Sequence, residues 1–287
     1  MSFTRRRALV AAMALPCAAA GCAALSAPMS VRHLPGMVWQ PSNSTLRPRG
    51  PWQDLGIHRL LVQWTAVDGR SFVPEGGLPP VGAELPDWSR IAGEPWAREV
   101  ILGLAGMHAE ADARASLAGL AAQSHRLVAA AASLPLRISG WYFPVEIDPT
   151  WTTPGILTDV LEGLPRPLWI SAYDSANLGP QALADWIERY VPAHVGVFFQ
   201  DGVGVHARTP AVAREYLRVL SARLGHARVQ AIAEAFRPAP EGGFRSATAE
   251  ELLPQIDAYQ GWPIFAFDGP HYLHDALTAD LAASGVG

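Results

Sequence analysis

From Gly36 onward, short apolar runs of strand length alternate with longer segments of helical periodicity, and this alternation constrains the fold more than any other feature. Eight strand-like runs are legible, at 37–40, 59–64, 99–104, 137–143, 167–172, 195–199, 229–233 and 263–267. Helices between them carry their own punctuation. The alanine- and leucine-rich segment 115–133 stops before Pro135, 179–190 follows an Asn-Leu-Gly-Pro turn, and Thr209-Pro210 offers an N-cap with proline at the first helical position. Thr248-Ala-Glu-Glu251 has the form of a capping box. A strand–helix unit recurring about every thirty residues predicts a single closed (β/α)8 barrel over residues 33–287. The rival, a doubly wound open sheet, carries a glycine-rich phosphate turn after its first strand, and Gln40-Pro-Ser-Asn-Ser44 is nothing like one. With 287 residues, 49% of them hydrophobic, the chain can fill such a core. Residues 68–94, rich in glycine and proline with a short helical stretch near Trp88, read as a long loop over the barrel mouth.

The first residues put positive charge ahead of a short apolar run that ends in small side chains, the pattern of an export signal over residues 1–22. The run is too short to span a bilayer, and no later segment has the roughly 18 uninterrupted apolar residues that a membrane helix needs. Thr4-Arg5-Arg6 with Leu9 resembles a twin-arginine signal, and Ala19-Ala-Gly-Cys22 resembles a lipobox. This predicts a periplasmic protein whose contact with the membrane is a lipid on Cys22, followed by a short tether over residues 23–32. Cys17 and Cys22 are the only cysteines, so the mature chain has no internal disulfide.

In a β/α barrel the site lies at the C-terminal ends of the strands, so each run can be asked what it delivers there. The residues 138–148, Ile-Ser-Gly-Trp-Tyr-Phe-Pro-Val-Glu-Ile-Asp, drive an apolar strand into Glu146 and Asp148, and 229–236 does the same with Glu234. Two glutamates on strands four and seven would face each other across the mouth, the arrangement needed for hydrolysis of a glycosidic bond: one protonates the leaving oxygen and the other attacks or activates water. Trp39, Trp64, Trp141 and Tyr173 would offer flat faces to pyranose rings. Gln40, Gln63, Tyr142, Asp148, Gln200, Asp201 and Asp268 complete the candidate substrate-binding set. One of the two carboxyls must stay protonated near neutral pH, which burial beside an aromatic such as Trp141 and the negative charge of its partner would accomplish.

Trp39-Gln-Pro, Leu61-Val-Gln-Trp-Thr-Ala66, Gly140-Trp-Tyr-Phe-Pro-Val-Glu-Ile-Asp148, Ile170-Ser-Ala-Tyr173 and Gln200-Asp-Gly-Val-Gly204 together resemble, in the same order, the uncharacterised bacterial family catalogued as domain of unknown function 4434. That family is similar to the TIM-barrel retaining glycosidases with the acid/base on strand four and the nucleophile on strand seven. The resemblance implies Glu146 as acid/base and Glu234 as nucleophile. It also shows a departure, because this chain has Val145 where that clan places an asparagine that binds the sugar 2-hydroxyl.

The expected partner is therefore a carbohydrate. The formal net charge of -4, without a basic stretch in the body, argues against nucleic acid. No cofactor motif is present. His108, His206 and His271 all follow predicted strands, but strand one ends in Val-Trp-Gln rather than the paired histidines of metal-dependent barrels, so no metal is expected. A second function fits the same residues: a non-catalytic glycan-binding lipoprotein serving as a scaffold in envelope polysaccharide handling. Nothing in the pattern specifies an oligomeric state.

Overall fold

The computed structural model describes residues 31–42 and 45–287. The export and lipidation signals, Cys17, Cys22 and Asn43 lie outside the described residues. Eight parallel strands close into a barrel: β1 (Gly36–Trp39), β2 (Arg59–Val62), β3 (Glu99–Gly103), β4 (Ile138–Ile147), β5 (Leu168–Ala172), β6 (Val195–Gln200), β7 (Val229–Glu234) and β8 (Ile264–Phe267), with β8 paired back on β1. The expected (β/α)8 architecture is what the chain adopts, and each barrel strand overlaps one of the runs read from sequence.

Period-two alternation sorts the strand residues into two layers. Val38, Leu61, Ile101, Tyr142, Phe198, Ile232 and Phe265 fill the barrel interior. Neighbours of opposite parity, among them Met37, Trp39, Leu60, Val62 and Val197, belong to the larger layer packed under the helices. Trp39 is fully buried there, its indole donating to the Thr45 carbonyl at 3.0 Å and its ring 5.7 Å from that of Trp88.

Among the described residues the α-helices are α1 (Trp88–Ala92), α2 (Glu110–Ala115), α3 (Leu117–Ala131), α4 (Leu157–Gly163), α5 (Pro180–Tyr190), α6 (Pro210–Leu224), α7 (Ala249–Ala258), α8 (Gly269–Tyr272) and α9 (Asp275–Ala283). α3 buries Leu117, Leu120, Ser124, Leu127 and Ala131, one face at helical spacing. Thr209 caps α6 by accepting from the Val212 N–H, and Thr248 with Glu251 forms the full reciprocal capping box on α7. The segment after β2 is more ordered than a loop: Ala66–Val67 pairs antiparallel with Arg70–Ser71 and parallel with Ala105–Gly106, while Phe72 and Val73 are buried.

Candidate active site

The C-terminal half of β4 departs from regular pairing. Between Phe143 and Ile147 the strand advances four residues while β5 advances two, from Ile170 to Ala172. Such a bulge frees backbone groups and re-aims side chains. Pro144, with no N–H to lose, packs on Gly106, where a β-carbon would come within 2.7 Å of its ring. The freed groups of Glu146 are taken by α2: its N–H donates to Glu110 at 3.0 Å, and its carbonyl accepts from the Arg114 guanidinium at 2.9 and 3.3 Å. Arg114 is itself stacked 5.1 Å from the Trp151 ring.

This places the Glu146 side chain, half-buried, in a cavity of about 160 Å³ at the barrel mouth, lined also by Gln40, Gln63, Trp64, Met107, His108, Glu110, Tyr142, Pro144, Ser171, Gln200 and Phe267. Larger hollows lie elsewhere, but the 400 Å³ one is walled by residues such as Pro167, His194 and Arg228 around the N-terminal ends of β5 to β7, away from the strand ends that carry the acids. Gln200 donates from Nε2 to Glu146 Oε2. Burial above all, then the charge of Glu110, pushes the Glu146 carboxyl up to about 7, against the opposing pull of Gln200 and Arg114. The source of the shift differs from expectation: Trp141 packs with the layer beneath the helices, and the carboxylate that acts on Glu146 most strongly is Glu110 rather than Glu234.

Glu234 sits differently. It is 6% exposed and is not among the residues lining that cavity. Its Oε2 accepts from the Val205 N–H at 3.3 Å, and Gly204 N–H also supports it. Beside it, fully buried Asp201 accepts from Val203 N–H (3.1 Å), Glu234 N–H (3.3 Å), Gln255 Nε2 (2.6 Å) and the Tyr259 hydroxyl (3.0 Å). Burial pushes both carboxyls upward, and two such groups in contact cannot both ionise easily. Side-chain donors and N–H groups converge on Asp201 and favour its ionised form, which together with burial pushes the Glu234 carboxyl upward.

The Gln200-Asp201-Gly202-Val203-Gly204 run thereby acquires a physical reading. Gln200 reaches Glu146, Asp201 holds the end of β7, Gly202 takes a left-handed φ of +64°, and Gly204 lets the turn close on Glu234. A β-carbon on Gly204 would lie 2.6 Å from Glu234 Cβ and 2.9 Å from the Phe236 carbonyl oxygen. Gly204→Ala is expected to cost about 1–3 kcal/mol in chemical denaturation, because backbone and not only a side-chain tip must move.

The remaining candidates divide. Gln40, Gln63, Trp64 and Tyr142 come together with Glu146 and Gln200 around the cavity. Gln63 Oε1 is buried and has no hydrogen-bond partner among the described residues, and Tyr142 donates to Ser171 at 2.8 Å. Tyr173 is half-buried beneath the Arg208 guanidinium, 5.1 Å away, and its hydroxyl is raised first by burial and then by the charge of Glu234. Asp148 is folded into a turn, accepting from Thr150 and Ser175, whose hydrogen bonds outweigh burial and hold its carboxyl below the usual range. Asp268 is buried at the end of β8, accepting from His271 Nδ1 at 2.7 Å and Gln40 N–H at 3.1 Å. Trp39, Asp148, Tyr173, Asp201 and Asp268 do not line the cavity.

Sequence reasoning passed over Glu110, Arg114, Ser171 and Phe267, and weighed His108, at the end of strand three, as a metal ligand. His108 stands at the rim, edge-on to Trp64 with ring centroids 5.1 Å apart and its Nδ1 2.5 Å from Asp68. Among the described residues, no group of three or more histidine, cysteine, aspartate or glutamate side chains is disposed to hold a metal ion, and no helix is long and apolar enough to cross a membrane.

No protein-family model matches the chain, and no curated protein matches it. Solved structures do match. A Bacteroides thetaiotaomicron VPI-5482 protein provisionally assigned as an alpha-L-fucosidase superposes with a TM-score of 0.58 at 16% identity, covering 91% of this chain and 95% of that one. The spore cortex-lytic enzyme SleL of Bacillus megaterium QM B1551 superposes with a TM-score of 0.50 at 13% identity, over 91% of this chain and 76% of that one. At these identities the likeness establishes the barrel and not its chemistry. The resemblance to domain of unknown function 4434 rests on the motifs quoted above alone.

Proposed function

We propose that this chain is an exported glycoside hydrolase that cleaves a polysaccharide or oligosaccharide with retention of configuration, Glu146 serving as acid/base and Glu234 as nucleophile. The observation that carries the reading is a strand-end carboxyl projected by a bulge into a polar cavity, holding its proton to about pH 7. Gln40, Gln63, Gln200 and Trp64 supply hydroxyl partners and an apolar face around it. Gln63 Oε1, an acceptor awaiting a donor, suits a sugar hydroxyl. Glu146 would protonate the departing oxygen while Glu234 attacks the anomeric carbon, and Glu146 would then draw a proton from the water that releases the sugar. Burial and Asp201 push Glu234 up to about 8, above Glu146 at about 7, so the form with Glu234 ionised and Glu146 protonated is a minor one, and activity should peak between the two and fall on either side. The name of the matched Bacteroides barrel, an alpha-L-fucosidase assignment, is consistent with a glycan substrate. The N-terminal Thr4-Arg5-Arg6 and Cys22 patterns support export and lipid anchoring.

A second reading, a glycan-binding scaffold without turnover, is favoured by two observations: Glu234 is closed off by the turn at Gly204 and Val205, and buried Val145 offers no hydrogen bond where the resembling clan has asparagine. Incubation with a panel of envelope and capsular polysaccharides separates the two. New reducing ends released first in the substrate's own anomeric form, and lost in Glu234→Gln, support the hydrolase. Binding without sugar release selects the scaffold.

A further inference from the structure

The carboxylate nearest to Glu146 in effect is one that neither the strand pattern nor the proposed mechanism assigns. Glu110 and Arg114 stand one turn apart on α2, and both reach across to the same residue of β4, one taking its N–H and the other its carbonyl. A bulged strand has no neighbouring strand to hold these groups, so the direction of the Glu146 side chain is set by the α2 pair. Glu110 does more than brace the backbone, because it also lines the cavity into which Glu146 projects. We propose that Glu110 is a positioning residue for Glu146, with Arg114 as its counterweight: the two grip the N–H and the carbonyl of one residue in the bulge and so set how its side chain enters the cavity.

The other groups that face Glu146 leave this pair as the adjustable element. Gln200 from β6 is neutral, Tyr142 on its own strand is committed to Ser171, Tyr173 lies beneath Arg208, and Asp148 is held by Thr150 and Ser175. His108 at the cavity rim is bound to Asp68. Glu110 raises the Glu146 carboxyl and Arg114 lowers it, so opposite effects are expected from removing the two charges. Glutamine at position 110 can still accept from the Glu146 N–H, which keeps the clamp while deleting its charge.

This inference rests on Glu146 being the residue that carries the site's proton, and it can be tested without turnover. The full chain, labelled with carboxyl-13C glutamate, is titrated by NMR, and the Glu146 signal is identified by its loss in Glu146→Gln. In Glu110→Gln its midpoint should fall by about one pH unit, a tenfold change in proton affinity. In Arg114→Gln it should rise. An unchanged midpoint, shifts of the same sign in both variants, or loss of the fold in both would overturn the proposal, the last by showing only a structural brace. If the opposed shifts occur and no glycan is cleaved, the inference stands and the hydrolase reading falls. If glycans are cleaved and the shifts are absent, the reverse holds.

Discussion

Replacing Glu146 with glutamine should abolish turnover and, at alkaline pH, make the protein harder to unfold. If Glu146 is the acid, the catalytic half follows from removing the proton donor to the leaving oxygen, which general acid catalysis values at about 10²–10⁴-fold in rate. Glutamine nearly matches glutamate in shape and can still accept from Gln200, so the cavity should keep its form. The stability half follows from proton linkage. The folded chain holds the Glu146 proton to about 7, whereas the unfolded chain releases it near 4.5. Stability from that retained proton is fully present below pH 4.5 and is lost as pH rises through 7, where keeping the group charged at the mouth costs at most about 3 kcal/mol. Asp201 and Glu234, both raised, act in the same direction. Urea midpoints of the wild type should therefore fall between pH 5 and pH 8 more steeply than those of Glu146→Gln. Parallel curves would show that the carboxyl is not held neutral, and undiminished sugar release would exclude it as the acid.

Period and punctuation made the barrel legible because both are local. Each strand needs an apolar run and each helix a cap, and Thr209 and Thr248 cap α6 and α7 as their sequences announce. The site was legible where strand parity was respected. Gln40 and Gln63 share parity with the interior residues Val38 and Leu61 and line the cavity, whereas Trp39, one step out of phase, lies in the outer layer. Trp141 is out of phase with Tyr142 in the same way, so the rule could have removed both tryptophans from the proposed sugar platform. Glu110 had no such signal. Its role depends on a bulge that only the pairing of β4 with β5 reveals, and on a short helix 36 positions away in sequence reaching that bulge. Asp201 likewise reads as turn chemistry from its Gln-Asp-Gly context, and it does accept from the Val203 N–H as a turn residue would. What the context does not reveal is that Gln255 and Tyr259 meet it from the far side of β7.

Asp201→Ala should produce the largest loss of stability of any substitution at the mouth, about 3–5 kcal/mol, the scale seen when one member of a buried polar set is removed and its partners stay behind. The truncation leaves Gln255 Nε2, the Tyr259 hydroxyl and the N–H groups of Val203 and Glu234 without their acceptor, in a place that water does not reach. Because these donors come from the turn after β6, from β7 and from the α7 region, their loss should loosen the seam between strands six and seven rather than fray one loop. Asp201→Asn divides the effect: its oxygen can serve the two backbone N–H groups, while its amide faces Gln255 and Tyr259 as a donor, so a smaller destabilisation is expected. It also removes the charge that keeps a proton on Glu234. If Glu234 is the nucleophile, the acidic limb of the rate profile of Asp201→Asn should move to lower pH even as the protein becomes less stable. Denaturation curves and rate profiles measured on the same preparations check both halves. A wild-type acidic limb in an Asp201→Asn protein that remains folded would mean that Glu234 does not supply the attacking oxygen, and with it the reading of this barrel as a retaining hydrolase would give way to that of a binder.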